Sequence, residues 1–272
     1  MMRWYAGLAV ALISANAAAE TVSFPGDGVT LKGDLFRPAG DGPFPAVVAL
    51  HGCDGLHARD GDLSPRHADW AERLARQGFL VLLPDSFGSR GLGPQCRVRE
   101  REVRPSRERV ADALAAKAYL QTRRDVKAGA ISLLGWSNGG STVLYAVEPR
   151  RAPKDGKPDF AAAVSFYPGC RTPLENGRWR ARLPLLILIG GADDWTPAEP
   201  CEALAKKAQH FGDRVSIKIY PGAYHAFDHP GAPVRVVKGL AYTGNGTGTA
   251  HTGTDPAARA DALERVPAFL AR

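Results

Sequence analysis

The chain has 272 residues, of which 44% are hydrophobic and 23% charged; this is the balance of a chain that buries a core, which excludes a disordered or fibrous protein. The formal net charge of +7 is concentrated in one run, Arg97-Val98-Arg99-Glu100-Arg101-Glu102-Val103-Arg104 continuing to Arg109. Acids interleave that run and no aromatic residue lies within it, so it reads as the solvated entrance of a helix and not as a nucleic-acid patch.

The first residues follow the order of a secretory signal peptide. Arg3 supplies the positive start, Tyr5 to Ile13 the apolar stretch, and Ser14-Ala15-Asn16-Ala17-Ala18-Ala19 the small-residue segment with Ala17 and Ala19 before the cut. Residues 1–19 are therefore expected to be removed, leaving a secreted or periplasmic chain that begins at Glu20 with a charge of 7 − 1 = +6. The apolar stretch is shorter than the ~20 residues a bilayer span needs, and no later segment is apolar enough, so no stable membrane insertion is expected. Residues 20–272 are expected to form one domain.

Glu20 to Phe24 and Leu31 to Arg37 alternate apolar and polar residues around Pro25-Gly26-Asp27-Gly28, the pattern of an antiparallel hairpin. The pattern then changes to continuous apolar runs at Ala46–Leu50, Phe79–Leu83, Ile131–Leu134, Ala161–Phe166 and Leu185–Ile189, followed by a more alternating Val215–Tyr220. Such runs suit strands buried on both faces of a parallel sheet. Helical segments separate them: His67–Gln77 stopped by Gly78, Ser106–Thr122, Glu199–Phe211 stopped by Gly212, and Ala257–Leu270 opened by Asp255 and Pro256. Strand–helix alternation predicts a single three-layer α/β domain, with a mostly parallel sheet and helices on both faces. Gly244 to Thr254, rich in Gly and Thr, reads as a mobile loop.

Chemistry is concentrated at Gly135-Trp136-Ser137-Asn138-Gly139, a Gly-x-Ser-x-Gly segment directly after a strand and before a helix. So sharp a turn strains the serine backbone and lifts its hydroxyl above the sheet; the glycines avoid collisions that side chains would make. A serine hydroxyl needs a base to take its proton, and in strand–turn–helix sites of this kind the acid and then the histidine follow in chain order. Asp193 and Asp194 follow the strand Leu185–Ile189. His225 follows the strand Val215–Tyr220, with His229 lying four residues further from the strand end. Ser137 is thus the candidate nucleophile, His225 the base, and Asp193 or Asp194 the orienting acid. Backbone N–H groups of Asn138 and Cys53 are the candidate oxyanion donors, and Trp136, Trp195, Tyr224 and Phe227 are expected to line the cleft. His51, Cys53, Asp54 and His57 cluster in one loop, but no second group has metal-ligand spacing; neither a metal nor an organic cofactor is called for.

With these residues in view, the chain resembles the dienelactone hydrolase family from about Phe24 to the C-terminus. The resemblance is carried by His51-Gly52-Cys53, Leu83-Pro84-Asp85-Ser86-Phe87-Gly88, the Ser137 turn, Gly190-x-x-Asp193-x-x-Thr196-Pro197 and Tyr220-x-x-x-x-His225-Ala226-Phe227. It selects Asp193 as the acid and implies an α/β-hydrolase fold acting on a small ester or lactone. The family proper carries cysteine in the nucleophile turn; Ser137 makes the chain similar to a serine-bearing, exported branch of carboxylester hydrolases. An exported chain with an even number of cysteines is expected to form disulfides. The resembled fold, in which the third and fourth strands are neighbours, as are the two strands leading to Cys170 and to Cys201, implies the pairs Cys53–Cys96 and Cys170–Cys201.

Overall fold

A computed structural model describes residues 19–272; the signal-peptide reading of residues 1–19 lies outside them except for Ala19. Strands β1 (Glu20–Pro25) and β2 (Thr30–Phe36) form the expected hairpin, with Glu20 opposite Leu35 and Pro25 opposite Thr30. Its period-two pattern turns Val22, Phe24, Leu31 and Leu35 into the core. The continuous apolar runs become β3 (Phe44–Leu50), β4 (Leu80–Pro84), β5 (Val126–Trp136), β6 (Ala163–Phe166), β7 (Leu185–Gly190) and β8 (Val215–Tyr220). All belong to one eight-stranded sheet in the order β1-β2-β4-β3-β5-β6-β7-β8. The pairs β1–β2 and β2–β4 are antiparallel and all later pairs parallel, giving the mostly parallel α/β sheet that the patterning predicts and the α/β-hydrolase fold that the resemblance implies.

The crossovers are α1 (Pro65–Arg76), α2 (Glu108–Gln121), α3 (Asn138–Ala146), the short α4 (Arg171–Glu175) and α5 (Ala198–His210). Helix α1 starts on Pro65, whose missing N–H costs nothing at a first helical position, and buries Trp70, Ala71, Leu74 and Ala75. The C-terminal α6 (Pro256–Leu270) is opened by Asp255, whose carboxylate accepts the Ala258 N–H at 2.9 Å.

The mobile-loop expectation for Gly244–Thr254 is corrected. Thr249–Thr252 is a strand, β10, paired antiparallel with β9 (Arg235–Lys238). Its backbone is held from outside the hairpin: Asp194 accepts the His251 N–H at 2.8 Å, and the His225 carbonyl accepts the Gly253 N–H and the Thr252 hydroxyl, each at 3.0 Å. The glycines that suggested mobility supply turn conformations, with φ of 72° at Gly246 and 71° at Gly248.

Both disulfides form as the resemblance implies. Cys53 and Cys96 lie on the loops that follow the neighbouring strands β3 and β4, with Cα atoms 4.8 Å apart. Cys170 and Cys201 join the segments after β6 and β7, with Cα atoms 5.0 Å apart. Closing a 31-residue separation removes unfolded-state freedom worth about 3–4 kcal/mol. Replacing Cys170 and Cys201 together by serine is expected to lower the unfolding free energy by about that amount in a guanidinium titration; an unchanged denaturation midpoint would contradict a bracing role.

Candidate active site

The site is built on the C-terminal ends of β3, β5, β7 and β8, where open α/β sheets carry their ligands. Ser137 sits between β5 and α3 with φ 53° and ψ −110°, a backbone conformation that only a firmly held turn sustains. The flanking glycines are required by contact. A Cβ on Gly135 would run into the Gly139 carbonyl, and one on Gly139 into the Leu50 carbonyl at the end of β3. The Ser137 N–H donates to the Phe166 carbonyl at 2.9 Å, and the Ser137 carbonyl accepts the Ser141 N–H at 2.7 Å.

Three side chains form one hydrogen-bonded chain: Ser137 Oγ lies 2.9 Å from His225 Nε2, and His225 Nδ1 lies 2.8 Å from Asp193 Oδ2. Asp193 is fixed in turn. Its Oδ1 accepts the N–H groups of Trp195 and Thr196, both at 2.9 Å, and its Oδ2 lies 3.0 Å from the Thr196 hydroxyl. A carboxylate on Nδ1 places the imidazole proton there, which leaves Nε2 able to accept from the serine hydroxyl. The His225 ring packs against Tyr167 on one contact and Trp195 on another, with centroids 4.5 and 4.6 Å away. Both Asp193 and His225 are buried, and exclusion of water strengthens each of these bonds.

Asp194 does other work: its Oδ2 lies 2.8 Å from His251 Nδ1, tying the β9–β10 hairpin to the Asp193 loop. His229 makes no side-chain bond to Ser137, Asp193 or Asp194, and its Nδ1 has no partner among the described residues.

Asn138 opens α3, where first-turn N–H groups lack intrahelical partners. Cys53 is positioned through the preceding peptide. Buried His51 accepts the Ser86 N–H on Nε2 at 3.2 Å, so its proton lies on Nδ1 and is donated to the Gly52 carbonyl at 2.7 Å. Burial first, and then the nearby Arg109 charge, hold the His51 pKa well below its ordinary value, which keeps the ring neutral. In a trans peptide the N–H points opposite to the carbonyl. The Cys53 N–H is therefore directed away from His51, while Cys53 itself borders the cavity over Ser137.

That cavity, about 720 Å³, is lined among others by Ser137, Asn138, Cys53, Trp195, Arg101 and Tyr242. Of the four aromatics expected at the cleft, Trp195 reaches it. Trp136 and Phe227 are corrected: both are fully buried beneath the site, because the positions beside the turn point down into the packing between sheet and helices. Tyr224 stacks on His251 with centroids 4.9 Å apart and does not border the cavity. The solvated-entrance reading of Arg97–Arg109 holds for Arg97 and Arg107, which are exposed ahead of α2, but not for the whole run. Arg99, Arg101 and Arg104 line the cavity, together with Arg171, and Arg109 is fully buried. The Cys53–Cys96 bridge and the Ala241 N–H, which donates to the Cys96 carbonyl at 3.0 Å, fold the basic segment back over the site.

The sequence profile of the Dienelactone hydrolase family matches residues 31–272. The chain belongs to the dienelactone hydrolase family. Among its relatives is a Bradyrhizobium sp. protein named "Probable 2-oxo-3-(5-oxofuran-2-ylidene)propanoate lactonase", 26% identical over 230 residues, covering 77% of this chain and 86% of the relative. Among solved structures, Thermogutta terrifontis esterase 2 phosphorylated by paraoxon matches with a TM-score of 0.65 and 21% identity, covering 96% of each chain. A Pyrococcus horikoshii acylaminoacyl peptidase matches with a TM-score of 0.67 and 16% identity, over 96% of this chain and 42% of that one. These structural likenesses concern the fold.

In this member of the dienelactone hydrolase family the support beneath the histidine is polar. Fully buried Asp228 accepts the indole N–H groups of Trp70 and Trp136, both at 2.8 Å, and the Tyr167 hydroxyl at 2.6 Å. Trp136 precedes Ser137 and Tyr167 packs on His225, so one carboxylate braces the neighbours of the first two members of the hydrogen-bonded chain. Sequence reasoning missed Asp228; the available signal was its place three residues after His225, directly after the segment Tyr220–Phe227 that carries the family resemblance. Asp228→Ala leaves three buried donors unpaired. At about 1–3 kcal/mol each, the protein is expected to lose at least about 3 kcal/mol of stability, read by thermal or chemical denaturation. Wild-type stability in that variant would contradict the bracing role.

Proposed function

We propose that the protein hydrolyses small carboxylic esters through an acyl-enzyme on Ser137. The observation that carries the reading is the Ser137–His225–Asp193 chain, with contacts of 2.9 and 2.8 Å and Ser137 lining the cavity. His225 Nε2 takes the proton as Ser137 Oγ attacks the carbonyl carbon. The tetrahedral oxyanion is held by the Asn138 and Cys53 N–H groups. The alkoxide leaves with the proton from His225, and water repeats the sequence in reverse to free the acid. Asp193 orients the imidazole and stabilises its cation. Membership of the dienelactone hydrolase family and the esterase among its structural neighbours support the reaction class.

The cavity wall supports an anionic substrate. Arg99, Arg101 and Arg171 border it and make no ion pair among the described residues, whereas Arg104 is paired with Glu108 at 2.7 Å. Arg101 is oriented by the Gln95 and Val98 carbonyls and lies 5.0 Å over the Tyr242 ring; Arg171 donates to the Gly244 carbonyl at 3.1 Å. The Bradyrhizobium relative is named for a lactone that carries a propanoate group. A cyclic ester opened by the same steps, bearing a carboxylate that faces the arginines, is the second reading.

Ser137→Ala and His225→Ala are each expected to cut ester turnover by at least about 10³-fold, with His229→Ala near wild type. A p-nitrophenyl ester assay on folded variants reads this; retained turnover in Ser137→Ala, or a severe His229 variant, would overturn the assignment. Mono-p-nitrophenyl succinate is expected to be hydrolysed with higher kcat/KM than p-nitrophenyl butyrate. Arg101→Gln should remove about tenfold of that preference, and equal kcat/KM for the two esters would contradict an anionic substrate.

A further inference from the structure

Arg109 is the last arginine of the basic run and the second residue of α2, yet it is fully buried. Its Nη1 donates to Asn138 Oδ1 at 2.6 Å, and its guanidinium carbon lies over the Phe87 ring, 5.2 Å from the centroid. Its Nε and Nη2 have no hydrogen-bond partner among the described residues, and no carboxylate oxygen of those residues lies within 4.0 Å. Asp112, three residues further along the helix, is engaged by Arg90 through contacts of 2.9 and 2.8 Å. Burial draws the Arg109 pKa down to about 10, which leaves the group cationic at neutral pH.

An unpaired cation in the interior is costly, and even buried ion pairs are often replaced by apolar side chains of similar volume without loss of stability. A buried charge of this kind therefore needs a use. The one acceptor it holds is the side chain of Asn138, whose backbone N–H is one of the two donors placed at the oxyanion in the reading above. That N–H follows Ser137 directly, and its aim depends on the first turn of α3. Beside the backbone bonds at Ser137, two side-chain contacts hold Asn138 in the turn. Thr142 Oγ1 donates to the Asn138 carbonyl at 3.0 Å, and Arg109 grips the Asn138 side chain.

We infer that Arg109 is a positioning residue for the oxyanion site: it fixes Asn138 and sets a permanent positive charge behind the place where negative charge develops. This rests on the acyl-enzyme reading. In the ground state the substrate carbonyl is neutral and gains little from the charge. In the tetrahedral state the oxygen is an anion in a water-poor site, where a preorganised cation counts for most. The effect therefore falls on kcat and not on KM.

The test is Arg109→Met, which keeps the side-chain length and removes the charge. On a p-nitrophenyl ester, kcat should fall by about 10- to 100-fold with KM within about twofold. The affinity of phenylboronic acid, which forms an anionic tetrahedral adduct on a nucleophilic serine, should weaken by the same factor. A structural role alone would not move these two quantities together. Asn138→Ala, which keeps the backbone N–H and the Arg109 charge but removes the contact between them, should show a smaller loss of kcat matched by an equal loss of boronic-acid affinity, and it carries the test of positioning if Arg109→Met does not fold. Unchanged kcat in the folded variant overturns the inference, as does a rise in KM at constant kcat, or a fall in kcat without the matching loss of boronic-acid affinity. Ser137→Ala serves as the separate control: turnover surviving in that variant defeats the acyl-enzyme reading itself, whereas an inactive Ser137→Ala beside a fully active Arg109→Met defeats only the role of Arg109.

Discussion

A serine hydroxyl is a poor nucleophile unless a base stands at hydrogen-bonding distance with its lone pair free. The 2.9 Å contact between Ser137 Oγ and His225 Nε2 is the constraint on which the rest of the site depends. It joins residues 88 positions apart, and it can form only if the ends of β5 and β8 are held in fixed register through β6 and β7. The parallel pairings supply that register: Trp136 lies opposite Phe166 on β6, and Gly190 opposite Tyr220 on β8. The Asp193 loop follows β7 and reaches His225 from there. The strain at Ser137 is sustained because the glycines beside it pack directly against the Gly139 and Leu50 carbonyls.

Beneath that chain the interior is unusually polar, and each polar group has a position in the same scheme. Asp228 satisfies two indoles and a phenol that pack against the nucleophile turn and the histidine. Neutral His51 turns the Gly52 peptide so that the Cys53 N–H faces away from it. Arg109 holds Asn138. At the rim, Asp194 and the Cys53–Cys96 bridge draw the hairpin and the basic segment over the cavity. The loops of this site are thus held by buried groups from neighbouring loops and from α2, the fixed support that a preorganised electrostatic site requires.

Much of the architecture was legible in the residues. Continuous apolar runs marked the central strands because burial on both faces leaves no polar period, and the Gly-x-Ser-x-Gly turn placed Ser137. The family motifs chose Asp193 over Asp194, and the structure joins Asp193, not Asp194, to His225. What could not be read depends on contacts distant in sequence. The segment Gly244–Thr254 looked mobile because its restraint, Asp194, lies 57 residues from His251. Trp136 and Phe227 looked like cleft residues because proximity to the site in sequence says nothing of which way a side chain points. Arg109 looked like the end of a solvated run because Asn138, its acceptor, lies 29 residues away.

The most direct measurement is labelling with a fluorophosphonate, followed by intact-mass analysis and peptide mapping. Such a reagent reacts with a serine only when a base removes its proton and an oxyanion site receives the phosphoryl oxygen. One phosphonyl group on the peptide carrying Ser137, formed together with complete loss of ester turnover, is the expected result. An unlabelled Ser137 in folded protein, or a label on another residue accompanied by loss of turnover, would contradict Ser137 as the nucleophile.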